Sequence, residues 1–316
     1  MRGVPLLVLV LLAAAAPRAA AEGETAPPPA PPPAAERKPA EPKAALEKTG
    51  PEALALIAVA AERQGSGPTS AAAAVTAFRI TFSTVVVYTA KGDKYQASGS
   101  TETFAFPDRV RSEWAAEGKR TTTGHSGRVG WVKRDGEAVR VFSDPEGRDR
   151  EDVRDLEQRR RMLRLVHRAF FLGNLAAGDA PVRLLPDGPF TPPSNDAAAA
   201  KPVPCHHLVR PATAEDPEVH LYLGMEEKDP VAAVIPPEVR ADGSRTSSWV
   251  LTVAYDEEEP KKAKLPEGLK VPFWLELFEV PPAAGARPVL RIQAGVESMV
   301  IDPAAIPDSV FRAPKE

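Results

Sequence analysis

The chain has 316 residues, a net charge of −3 and 6% aromatic residues. That length allows one large domain or two small ones, and the near-balanced charge makes no electrostatic case for nucleic acid. Cys205 is the single cysteine, which excludes an internal disulfide, so the domain must be held by its core alone.

The N-terminus reads as an export signal. Arg2 supplies a positive charge, Val4–Ala16 is an apolar run, and Ala19–Ala21 offers small residues for cleavage after Ala21. The run is short for a membrane span, and no later segment reaches the ~18 apolar residues that a spanning helix needs. No cysteine follows to accept a lipid anchor. The mature protein is therefore expected in the periplasm. Residues 22–50 hold proline runs that favour extended backbone and bury little, so they read as a Pro/Ala-rich disordered linker. Residues 51–316 read as the folded domain.

Folded structure is expected to open with a helix from Pro51 to Gly65, with Leu54, Ile57, Ala58 and Ala61 on its buried face. An alanine-rich piece, Thr69–Thr76, extends that helical character after a break. The period then changes to two: Phe78, Ile80, Phe82, Val86 and Tyr88 alternate with polar residues. "KGDK" reads as a turn into the strand "YQASGSTETFAF", and "DRVRSEWAA", "KRTTTGHSG" and a hairpin around Asp135-Gly136 follow. A three-residue turn at Pro107-Asp108-Arg109 pairs Phe106 with Val110 and puts the large apolar residues on one face.

An amphipathic helix is expected from about Asp149 to Ala176. Leu156, Leu163, Val166 and Phe170 share its apolar stripe, with the arginines of "RRRMLR" on a solvated face. Strands resume at Val203–Val209, Val219–Met225, Ser247–Tyr255, Phe273–Val280, Val289–Gln293 and Val296–Ile301. Loops occupy "PDGPFTPPSNDAAAAKP", "IPPEVRADGSR" and "DEEEPKKAKLPEG", and a short turn closes the chain. About ten or eleven strands with two helical segments predict a mostly β fold with α: a single curved antiparallel sheet enclosing or covered by helix. Its concave face would carry Phe78, Ile80, Phe82, Phe104, Phe106, Val110, Trp114, Trp249, Leu251, Val253 and Tyr255. Either the helices fill that face as an ordinary core, which pattern alone favours, or a cavity for an apolar ligand remains.

The order of parts resembles the LolA/LolB-type periplasmic lipoprotein carriers and related outer-membrane lipoprotein-sorting proteins. The likeness rests on the signal, the first helix, "AFRITFSTVV", "GSTETFAFPDRVRSEW", "GHSGRVGWVKRDG", the mid-chain helix and the ending "IDPAAIPDSVFRAP". It implies a half-open barrel with a helical lid and an apolar interior for acyl chains. It also implies lipid or acylated lipoprotein as partner, transient membrane contact, and no covalent chemistry. The carriers often place a lid-contacting arginine just before the proline of the strand pair, where this chain has Phe106.

Signals for chemistry are weak. Cys205, His206 and His207 with His220 form one metal-like cluster without metal-ligand spacing, and no metal or cofactor is expected. "GHSG" lacks the nucleophile-elbow spacing, and no phosphate loop or dinucleotide fingerprint occurs. The expectation is an exported binding and transport protein rather than an enzyme. The alternatives are a regulatory module with an envelope protein partner on the same fold and, more remotely, a hydrolase.

Overall fold

The computed structural model describes residues 50–67, 69–70, 75–88, 94–116, 118–127, 129–143, 151–177, 181–194, 201–213, 216–239, 242–255, 268–283, 285–301 and 306–314. They belong to one compact unit, Ala45–Glu316. The signal, the proline-rich segment, residues 71–74 of the second alanine-rich piece, residues 91–93 of the "KGDK" turn and most of "DEEEPKKAKLPEG" lie outside them.

Helix α1 spans Pro51–Gln64 and ends at Gly65, whose φ of 81° is left-handed. The Ser66 amide donates to the Ala61 carbonyl, as in a Schellman cap. Gly65 is required twice over, because a Cβ there would also collide with the Gly268 carbonyl. The buried stripe is Ala53, Ile57, Ala60, Ala61 and Gln64, whereas Leu54 is 40% exposed. The stripe is rotated from the expected one because Gln64, a polar residue, is used inside.

The described strands form one open antiparallel sheet of thirteen, in the order β6-β5-β4-β3-β2-β1-β13-β12-β11-β10-β9-β8-β7. The first six are β1 Ala77–Tyr88, β2 Lys94–Ala105, β3 Arg109–Ala116, β4 Lys119–Ser126, β5 Val129–Arg134 and β6 Arg140–Ser143. The others are β7 Arg183–Phe190, β8 Val203–Arg210, β9 Val219–Gly224, β10 Pro230–Ile235, β11 Ser248–Ala254, β12 Trp274–Val280 and β13 Val289–Val300. Two strands were unforeseen. β7 includes "PDGPF", which reads as loop, but an edge strand tolerates prolines that cannot donate to a ladder. β10 is masked in the sequence by its flanking Pro230 and Pro236. Conversely, the two pieces expected at Val289–Gln293 and Val296–Ile301 are one strand. Gly295 breaks nothing there: it pairs with Thr84 and Trp274, and a Cβ on it would crowd the Trp274 ring.

The β2–β3 hairpin has a three-residue turn, but it is Phe106-Pro107-Asp108, with a cis Phe106–Pro107 bond. Phe104 therefore faces Val110, not Ser112. The difference is a slip of two residues, which leaves every side chain on its expected face. In β1 the pattern does change face. An irregularity between Phe82 and Thr84 moves the buried positions, so Val85 and Val87 join the main core while Tyr88 packs in an outer cluster.

Helix α2 spans Glu151–Phe170 and a short α3 follows at Gly173–Ala177. The single long helix expected to Ala176 is interrupted after Phe170. Gln64 explains the break: its Nε2 donates to the Ala169 carbonyl at 2.8 Å, and its Oε1 accepts from the Leu172 amide at 3.4 Å. The side chain supplies partners that another helical turn would have supplied.

The sheet curves around α2. Arg160 reaches His125 on β4 at 3.2 Å, and the next residue, Arg161, lies 4.7 Å from the centre of the Trp249 ring on β11. β4 and β11 are six strand spacings apart. In a flat sheet that would be about 29 Å at ~4.8 Å each, too far for two neighbouring arginines to bridge. At the chain's end, a 3-10 turn at Asp308–Phe311 docks on the outer face, where Trp131 Nε1 donates to the Phe311 carbonyl at 3.0 Å.

Candidate functional site

Phe78, Ile80, Phe82, Phe104, Val110, Trp249 and Leu251 are buried, as the alternation requires. Phe106 and Val253 are half-buried against the same core, and Trp114 and Tyr255 are half-buried. Leu156, Leu163, Val166 and Phe170 of α2 are buried against that face. In this structure the space between sheet and helix is filled by side chains. The Phe78 ring lies 5.5 Å from Phe104 and 5.6 Å from Phe171, which lies just past α2.

The arginines of α2 are where expectation and structure part. They do not form a solvated face: Arg159 is 2% exposed and Arg168 is 3% exposed. Each is drawn inward by a buried carboxylate. Arg159 pairs with Glu102 of β2, whose oxygens also accept from the Ser100 hydroxyl at 2.8 Å and from the Ser112 hydroxyl. The Arg159 guanidinium stacks 4.3 Å over the Trp114 ring. At the other end of α2, Asp216 is fully buried and receives three arginines: Arg168, Arg210 at 2.6 Å and Arg164 at 3.5 Å. Among the described residues one carboxylate lies within ion-pair distance of three guanidinium ions, so each of them is matched only in part.

Phe106 also has its own link to the helix. Its ring lies 4.7 Å from the Arg168 guanidinium and 5.6 Å from the His167 ring, while Arg164 donates to the neighbouring Pro107 carbonyl at 3.1 Å. The resemblance implied an arginine on the strand reaching the helix. Here the arginines sit on the helix and reach the strand turn. His167 is enclosed by Phe78, Phe104, Phe106 and Phe171, and its Nε2 lies 2.6 Å from the Val75 carbonyl. Burial, reinforced by Arg168, pulls its pKa from 6.5 down to about 3, so it is neutral and Nε2 donates.

Beside the Asp216 end lies a cavity of about 480 Å³, lined by Arg160, Arg161, Arg164 and Arg245, by Glu238 and Glu279, and by Trp249, Ile235 and three prolines. Burial pushes the Arg161 guanidinium below its usual range. Trp249 and Ile235 are also core residues, so the cavity's wall continues into the apolar interior.

Cys205 is buried on β8. His207 Nε2 meets His220 Nδ1 at 2.9 Å, His220 Nε2 meets Glu218 at 2.9 Å, and His206 is engaged by Asp187 and Lys228. Among the described residues no group of three such side chains is placed to hold a metal ion. "GHSG" is mostly strand: β4 runs to Ser126, and His125 faces Arg160.

Sequence reasoning missed Glu102, Asp216, Gln64 and Arg245. Glu102 carried a signal, since it shares parity with Phe104 and Phe106 and so places a carboxylate on the apolar face opposite an arginine-rich helix. Asp216 and Arg245 sit in connections without periodicity, so no local pattern marks them.

Neither a protein-family model nor a curated protein sequence matches the chain. Several solved structures are similar to it, two of which are described. One is a domain described as an outer membrane lipoprotein-sorting protein, from Vibrio parahaemolyticus, at 10% identity over 81% of this chain and 95% of that one, with a TM-score of 0.38. The other is a DUF1329 family protein from Desulfovibrio piger, at 12% identity over 82% of this chain and 98% of that one, with a TM-score of 0.42. Among the described residues no helix is long and apolar enough to cross a membrane.

Proposed function

We propose that the chain is an exported, periplasmic binding and transport protein for lipid or lipoprotein acyl chains, related in role to outer-membrane lipoprotein sorting. In this reading the curved sheet is a half-open barrel and α2 is its lid. Acyl chains take the place of α2 against the concave face, with transient membrane contact at loading and release and no enzymatic step.

The supporting observation is that an apolar interior is covered by one helix whose fastenings are ionic and discrete: Arg159 on Glu102, and Arg164 and Arg168 on Asp216. Breaking a buried ion pair costs ~3–5 kcal/mol. Burying an acyl chain gains about 0.8 kcal/mol per methylene, so a dozen carbons supply on the order of 10 kcal/mol. Acyl binding is large enough to compete with the fastenings.

The experiment is mass spectrometry of organic extracts of the purified protein, paired with titration of the delipidated protein with a fluorescent fatty-acyl probe. Co-purifying lipid and saturable probe binding are expected. A protein that carries no lipid and leaves the probe unbound rejects the reading. The packed interior favours one other reading, a regulatory or interaction module on the same fold. A stable protein partner recovered from envelope fractions, without lipid, would select it.

A further inference from the structure

We propose that the cavity between α2 and the β10–β11 corner is a binding site for a phosphate-bearing anion, gripped by Arg160, Arg161, Arg164 and Arg245. Four arginines line it against two carboxylates. One of the two, Glu279, is already engaged: Arg291 holds its Oε2 at 2.9 and 2.8 Å, and the Ser247 hydroxyl donates to its Oε1 at 2.6 Å. The other, Glu238, is exposed. Among the described residues, neither Arg161 nor Arg245 has a carboxylate within ion-pair distance. Arg164 shares Asp216 with Arg168 and Arg210. Arg160 pairs with Glu157 at 3.2 Å, so the unmatched charge facing the cavity among the described residues is that of Arg161 on the helix and Arg245 on a connection across it, with Arg164 matched in part.

The chemistry of the donors selects the anion. Guanidinium groups are planar forks that bind two oxygens each, and several forks converging on one volume suit a doubly charged group with three or four oxygens. A single carboxylate would leave most of these donors unused. The stacking of Arg161 on Trp249 presets its orientation before any ligand arrives. The apolar wall of Trp249 and Ile235 leads into the core, so a phosphate carried on an apolar chain fits the site as well as free phosphate does. The site does not depend on acyl binding, because inorganic phosphate alone probes it.

The test is calorimetric titration of the full exported chain with inorganic phosphate and, separately, with dihexanoyl phosphatidic acid below its micelle concentration. Saturable binding of at least one probe is expected. Arg161→Ala and Arg245→Glu should each weaken it by about ten- to a hundredfold, the loss expected for a charge-assisted contact, and Arg161→Lys should weaken it less. Arg245 is exposed, so Arg245→Glu keeps the test decisive should Arg161→Ala fold poorly. Binding of phosphate with those losses assigns a free-phosphate site; binding of phosphatidic acid alone with the same losses assigns a lipid headgroup site. Absence of binding by both probes, or binding unchanged in the variants, overturns the site.

Discussion

The two ends of α2 meet the sheet through buried charge, but they balance it differently. At the Glu102 end, among the described residues, one arginine meets one carboxylate, which also accepts from two serine hydroxyls. At the Asp216 end three arginines converge on one carboxylate, beside a cavity with further arginines. A pair matched one to one serves structure. An unbalanced cluster holds charge in reserve, which a ligand can complete, and its stability is correspondingly fragile.

Removing each carboxylate is the sharpest test of that difference. Asp216→Ala strands several buried guanidinium groups and is expected to cost about 5 kcal/mol, at the top of the range for broken buried pairs. Glu102→Ala takes a carboxylate from one arginine, Arg159, which keeps its stack on Trp114, and is expected to cost about 3 kcal/mol. Urea unfolding of both variants measures the gap, and equal losses would break the comparison.

Acid should act on the Asp216 end through His167. Its folded pKa of about 3 lies below the 6.5 of a free imidazole, so between those values the unfolded chain takes up a proton that the folded chain refuses. The His167 contribution is therefore complete above about pH 6.5 and lost progressively as pH falls toward 3. Urea midpoints followed across that window should decline less steeply in His167→Gln. An unchanged slope would remove His167 from this account.

The smallest expected effect is at Gln64, which holds the C-terminal end of α2 by uncharged hydrogen bonds. Gln64→Ala should cost about 1–2 kcal/mol, the scale of buried hydrogen bonds left unmade. Amide exchange should quicken around Ala169–Leu172 before it does near Arg159. Faster exchange at Arg159 first would place the weak end of the helix at Glu102 instead.

Much of this could be read in the chain beforehand. Alternation alone places Phe78, Phe104, Val110 and Leu251 on the buried face, and helical spacing places Leu163, Val166 and Phe170 there. The β2–β3 hairpin was legible in its turn length and facing, although its register slipped by two. Helical spacing alone assigns Arg159 and Arg168 to solvent, because the carboxylates they meet are distant in sequence: Glu102 lies 57 residues before Arg159, and Asp216 lies 48 residues after Arg168.

The sequence by itself determined which residues alternate, where the helices begin and which large side chains share a face. Those properties follow from backbone periods of 2 and 3.6 residues, which repeat over neighbouring positions. The tertiary structure alone decided the strand register, the change of face in β1, the interruption of α2 by Gln64, and which carboxylate each arginine meets. These depend on groups far apart in the chain that approach only when the sheet curves around α2, and local periodicity carries no record of such approach.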